Sequence, residues 1–292
     1  MNLGEPLVPL AALETFAHGL DHPEGIAVTP DGTIFVGGEA GQLFRIEADG
    51  TFAEVMTTGG FLLGLAADAD GRIYACDTAE RCVWRIDPAS QGSGAAEVYS
   101  RGAPARPFRT PNWGCFDARG NLYVSDSGEW KEANGAILVV RPGGATEVWT
   151  EESHNFPNGM ALSPDGSRLY LLESTPGALV EFDIHPDGRA GTRRLVTELE
   201  GMVPDGIVGT TDGSLVIACY RPDAVLRWRA DLGIQVLAHD PEGTALAAPT
   251  NVVFTGPELD TIVVPNIGRW HLTRFRVEGL HGVSLHYPRV GD

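Results

Sequence analysis

Residues 157–173 read PNGMALSPDGSRLYLLE. An apolar run at 160–162 leads into Ser163-Pro164-Asp165-Gly166, and a second apolar run follows at 169–172. Asp-Gly between two apolar runs is a hairpin signal, because these residues tolerate the positive φ of a tight turn. The same unit recurs five more times. PEG runs into IAVTPDGTIFVGG from Pro23, LLG into LAADADGRIYACD from Leu62, and PNW into GCFDARGNLYVSD from Pro111. PDG runs into IVGTTDGSLVIAC from Pro204, and PTN into VVFTGPELDTIVV from Pro249.

A third apolar strand follows in every unit (QLFRI, CVWRI, AILVV, ALVEF, AVLRW, HLTRF), and a fourth in most (AEVMT, AEVYS, TEVWT, RRLVT, IQVLA). Four short strands per unit make the blade of a propeller. The middle residues of the opening triplets stand at 24, 63, 112, 158, 205 and 250, spaced by 39, 49, 46, 47 and 45 residues. That period suits propeller blades, and no unit shows the 3.6 period of a helical solenoid. The expected fold is therefore all-β: a six-bladed β-propeller of four-stranded blades, one domain over residues 1–292. The sixth unit lacks a fourth strand. Leu13-Glu14-Thr15-Phe16-Ala17 resembles the other outer strands, so the N-terminal strand is expected to close the last blade and remove its open edge. The tail after Leu280 is expected on the outside.

The first strand of a propeller blade lies nearest the axis, so the triplet centres form a ring: Glu24, Leu63, Asn112, Asn158, Asp205, Thr250. Two carboxylates and two carboxamides converging on one axis suit a hard cation with oxygen ligands, calcium first. Magnesium and manganese are alternatives. Zinc is a poorer one, since the ring holds no His or Cys. The same residue types beside glycine also serve as ordinary turn formers, so the metal and the structural reading both stand at this point.

The chain carries a net charge of −18, which disfavours nucleic acid and anionic membranes as partners. A small-molecule substrate is the expected partner. The residues give no oligomeric state. The first residues form no secretory leader, and a cytoplasmic location is the expectation. Of the four cysteines, Cys76 and Cys82 flank a turn and could pair across two strands, although free buried thiols fit better. No Gly-Xaa-Ser-Xaa-Gly elbow, Walker A loop or dinucleotide fingerprint is present.

The triplets Pro-Glu-Gly, Pro-Asn, Pro-Asn-Gly and Pro-Asp-Gly, each ahead of an apolar strand, resemble the motifs of the SMP-30/gluconolactonase/luciferin-regenerating family. The resemblance runs from about residue 13 to 275 and extends more distantly to the diisopropylfluorophosphatase and paraoxonase propellers. It implies one calcium-type ion on Glu24, Asn112, Asn158 and Asp205. It also implies hydrolysis of a small lactone or related ester, with Asp205 as general base or nucleophile. A phosphotriesterase-like or strictosidine-synthase-like enzyme and a non-enzymatic binding propeller are the competing readings. His22, Arg109, Trp113, Glu129, Trp130 and His154 lie near the triplets or on loops after second strands and are candidate substrate contacts. Many family members read Pro-Asn-Asp-Gly where this chain has Pro111-Asn112-Trp113-Gly114, and some carry an Arg at the place of Thr110. Both departures point away from gluconolactone itself.

Overall fold

Each repeat folds as its turn chemistry dictates. The first hairpin of every blade turns on a glycine in the left-handed region: Gly32, Gly71, Gly120, Gly166, Gly213 and Gly256, with φ from 68° to 88°. Side chains beside the turn hold it. Asp165, for example, accepts hydrogen bonds from Ser163 Oγ and from the Ser167 amide. The computed structural model describes residues 3–90 and 95–291.

The strands form six four-stranded antiparallel sheets. From axis to rim, blade 1 comprises Ile26–Val28, Ile34–Gly37, Gln42–Ile46 and Phe52–Thr57. Blade 2 comprises Leu62–Ala67, Ile73–Asp77, Cys82–Ile86 and Ala96–Ser100. Blade 3 has Pro111–Phe116, Leu122–Asp126, Ala136–Val140 and Thr146–Thr150, and blade 4 has Pro157–Leu162, Arg168–Ser174, Gly177–Asp183 and Arg194–Glu198. Blade 5 has Val203–Gly209, Leu215–Arg221, Ala224–Arg229 and Gly233–His239. Blade 6 has Val253–Thr255, Thr261–Asn266 and His271–Arg276, and its rim strand is the N-terminal Glu14–Phe16. Glu14 pairs with Arg274 and Phe16 with Leu272, and the Arg274 guanidinium grips the Glu14 carboxylate. The sequence expectation of a six-bladed propeller closed by its first strand is met.

Apolar side chains from neighbouring blades pack face to face. Leu172 and Leu179 of blade 4 share one cluster with Ile207, Ile217 and Leu226 of blade 5. Inner strands contact one another around the whole ring. This stacking fixes the axis and therefore the mutual placement of the triplet centres.

Three features differ from expectation or extend it. Cys76 pairs with Val83 and Asp77 with Cys82, so the two cysteines project from opposite faces of their sheet and cannot bridge. All four cysteines are free. A small hairpin, Gly102–Ala103 against Arg106–Pro107, sits in the long connection into blade 3 and lengthens the widest repeat spacing. The tail after Leu280 does not merely lie outside. The Val283 amide donates to Gly209 O, the Tyr287 hydroxyl to Val28 O and the Ala69 amide to Pro288 O, and Val290 is buried against blades 2 and 3. The tail thus straps the face on which the first hairpins turn, opposite the triplets. It floors a cavity of about 400 Å³ on the axis.

Candidate metal centre

The glycines of the triplets set how tightly the ring closes. A methyl group placed on Gly25, Gly64, Gly159 or Gly206 would collide with the backbone of the following blade, at Leu63, Asn112, Asp205 and Asn251 respectively. Only hydrogen fits there, so successive inner strands touch main chain to main chain beside the axis. The triplet centres converge as a result.

Asn112, Asn158 and Asp205 are buried, and Glu24 is half-buried at the mouth. The two amides share one support. Asn112 Nδ2 donates to Ser127 Oγ at 3.0 Å, and that hydroxyl donates to Pro157 O of the next blade at 2.7 Å. Asn158 Nδ2 donates to Ser174 Oγ at 3.3 Å, and that hydroxyl donates to Pro204 O at 2.7 Å. With the amide nitrogen committed, the oxygen end of each side chain is left for the channel. Asn158 Oδ1 is buried and accepts no hydrogen bond from the protein. A buried acceptor in that state costs free energy unless something else coordinates it.

The carboxyls behave as a strained pair. Burial pushes Glu24 up to about 8. Burial first, and then the charge of Glu24, push Asp205 well above the usual carboxylate range, while a hydrogen bond with Asn158 pulls the other way. Two enclosed carboxylates repel unless a proton or a cation lies with them. The other two ring positions offer nothing. Leu63 is apolar, and Thr250 spends its hydroxyl on Glu24 O at 3.0 Å. Four side-chain oxygens, two of them anionic and one orphaned, fit a hard divalent cation.

Trp113 stands where four of the other five triplets carry glycine. Its indole N–H donates to Met160 O at 3.0 Å, and a methyl on Gly206 would lie 3.1 Å from its ring. The indole therefore reaches from blade 3 past blade 4 to blade 5, beneath Asn158 and Asp205, and lines the axial cavity below. It is a buried floor to the ring rather than a wall of the mouth.

The remaining candidates sit around the mouth. His22 is part-exposed, with Nδ1 2.7 Å from Glu39 and 3.2 Å from Asp21, and its ring lies 4.7 Å from that of Trp270. Trp130 is exposed, with its ring 4.8 Å from Phe156. Arg109 is exposed, and its backbone amide donates to Asp126. Glu129 accepts from Asn134, and His154 Nδ1 lies against Glu151 O. Ser127, Ser174 and Trp270 escaped sequence reasoning. The serines had a legible signal: the register puts Glu39, Thr78, Ser127, Ser174, Tyr220 and Ile267 at one repeat position, and serine occurs there only in the two blades with an asparagine centre.

A six-bladed propeller with an oxygen-lined axial site defines the class. Residues 23–267 match the SMP-30/Gluconolactonase/LRE-like region, and the chain belongs to that family. Over 165 residues it is 27% identical to a gluconolactonase of Zymomonas mobilis, covering 51% of this chain and 45% of that protein. Over 174 residues it is 29% identical to the protein strictosidine synthase-like 3 of Arabidopsis thaliana, covering 54% and 43%. The matched stretches thus span less than half the length of these curated relatives. The structure superposes on the calcium-binding protein regucalcin of Agrobacterium tumefaciens with a TM-score of 0.75 and 18% identity, covering 95% of this chain and 97% of that one.

Proposed function

We propose that this protein is a divalent-metal-dependent hydrolase of a small lactone or related ester, with calcium as the ion. The cluster of Glu24, Asn112, Asn158 and Asp205 carries the reading, above all the orphaned Asn158 Oδ1 in one ring with two charge-strained carboxyls. Relatives named gluconolactonase and regucalcin support it.

A cation held by these four residues supplies Lewis-acid polarisation of the ester carbonyl. Asn112 and Asn158, pinned through their serines, hold their oxygens in place without reorganising. Asp205 accepts the proton of the water that attacks the acyl carbon. The ring C–O bond breaks, and the proton passes to the departing alkoxide to give a hydroxy acid. Trp113 closes the site from below, so substrate and water enter through one mouth.

Metal content and calcium-dependent melting, measured on wild type beside Asp205→Ala, test the reading. Wild type is expected to bind one divalent ion and to gain melting temperature with it, and Asp205→Ala to lose both. A wild type that binds no divalent ion sinks the hydrolase. The similarity to strictosidine synthase-like 3 favours a second reading, a non-hydrolytic propeller enzyme. Calcium binding without hydroxy-acid release from any of a panel of γ- and δ-lactones would support that one.

A further inference from the structure

Among the described residues, four aromatic side chains are strongly exposed: Phe52, Trp130, Tyr220 and Trp270. Phe52 belongs to the rim strand of blade 1. The other three lie at or beside the connections between second and third strands, which open on the same face as the ring.

Two of them make matching ring pairs, one tilted at 60° and the other edge-to-face at 82°. Trp270 of blade 6 packs on His22, two residues before Glu24. Trp130 of blade 3 packs on Phe156, two residues before Asn158. Glu24 and Asn158 belong to blades 1 and 4, which face each other across a six-blade ring, so the two pairs flank the mouth from opposite sides. Both are held at a backbone cost. His22, Phe156 and Trp270 have φ of 38°, 56° and 58°, a region where glycine is the default. The same left-handed conformation recurs at Ala248, two residues before Thr250, and at Arg81, just before the third strand of blade 2, so it is a feature of the repeat that fixes where these rings stand, and Trp270 is left 45% exposed.

The polar groups of the mouth are largely occupied. Both ring amides donate to serines, Glu129 holds Asn134, and His22 holds Glu39 and Asp21. Of the exposed cationic side chains on the connections around the mouth, Arg221 is tied to Asp223 and Arg269 to Gly243 O, which leaves Arg81 on blade 2 and Arg109 and Lys131 on blade 3. A polyhydroxylated ring would find few side chains free to bind its hydroxyls, and each unpaired hydroxyl would lose its water. Aromatic faces instead reward an apolar partner.

Resting on the hydrolase reading, we propose that the substrate is a lactone or ester with an aryl or alkyl body, which packs on the Trp270–His22 and Trp130–Phe156 pairs while its carbonyl reaches the ring. Trp130 and Trp270 are then the residues that set specificity.

The test compares two δ-lactones, one bearing a phenyl group and one polyhydroxylated, together with the corresponding unhydrolysed δ-lactams as ligands. Intrinsic indole fluorescence reads lactam affinity in the calcium-loaded protein, and kcat/KM reads the lactones. The phenyl compound should be favoured at least tenfold in both. Trp270→Ala and Trp130→Ala should each cut that preference by about tenfold. Trp270→Phe should retain most of it, and Phe52→Ala on the rim should leave it unchanged. Equal or tighter binding of the polyhydroxylated lactam, or alanine variants that keep the preference, overturns the inference. The two readings fail separately. Phenyl lactam bound without lactone hydrolysis removes the hydrolase and keeps the aromatic mouth, whereas hydrolysis blind to the substituent does the reverse.

Discussion

A hydroxyl decides which end of an asparagine the channel meets. Ser127 and Ser174 take the amide nitrogens of Asn112 and Asn158 and pass their own protons to carbonyls of the following blade. Ser127→Ala or Ser174→Ala should therefore weaken calcium binding by about tenfold or more in titration calorimetry, with the secondary structure intact. A variant with wild-type affinity would show that the amides orient themselves. One register position earlier, Asp77, Asp126 and Glu173 do structural work: Asp126 accepts the amides of Arg109 and Thr110, and Glu173 pairs with Arg193. The four ring residues were legible because they share one repeat register. The Asn–Ser partnership was legible too, but only by comparing blades at a second position. Trp113 was not. Its place in the triplet suggested a substrate contact, and only the packing of blades 4 and 5 shows it turned beneath the ring. Trp113→Ala should cost about 3–5 kcal/mol in a denaturant melt, as for other large core truncations.

Among the elements, the innermost strands carry the tightest constraint. A methyl on Gly159 meets the main chain of Asp205, and neither backbone can yield without moving its blade. Gly159→Ala should lower stability by about 1–3 kcal/mol and displace Asp205, so calcium affinity and the melting midpoint should fall together. Loss of either one alone would contradict this coupling. Strand identity and order were readable because six copies of one pattern reinforce each other. The hairpin at 102–107 and the strap after Leu280 have no second copy, and neither shows an apolar period long enough to announce itself. Their positions are set by tertiary contacts: Val290 is buried against blades 2 and 3, far from its neighbours in sequence.

On the scale of the whole molecule, the axial charges link stability to pH. Glu24 moves from 4.5 to about 8 on folding without metal, so its folded form prefers the proton. That contribution is fully present below about 4.5 and is lost as pH rises toward 8, and Asp205 shifts in the same direction. In chelator, the protein should melt at a higher temperature at pH 5 than at pH 8, and Glu24→Gln should narrow the difference. A metal-free melting temperature that rises from pH 5 to pH 8 would contradict the buried pair. The closure of blade 6 has a consequence in time. Glu14 and Arg274, which meet across the seam, stand 260 residues apart. At roughly 5–20 residues per second of synthesis, the first strand waits about 13–50 s for its partner to be made. Throughout that wait the growing stack of blades is an open arc with an apolar face at each end. Chaperones and proteases meet the nascent chain in that state, and a chain halted before residue 271 never leaves it.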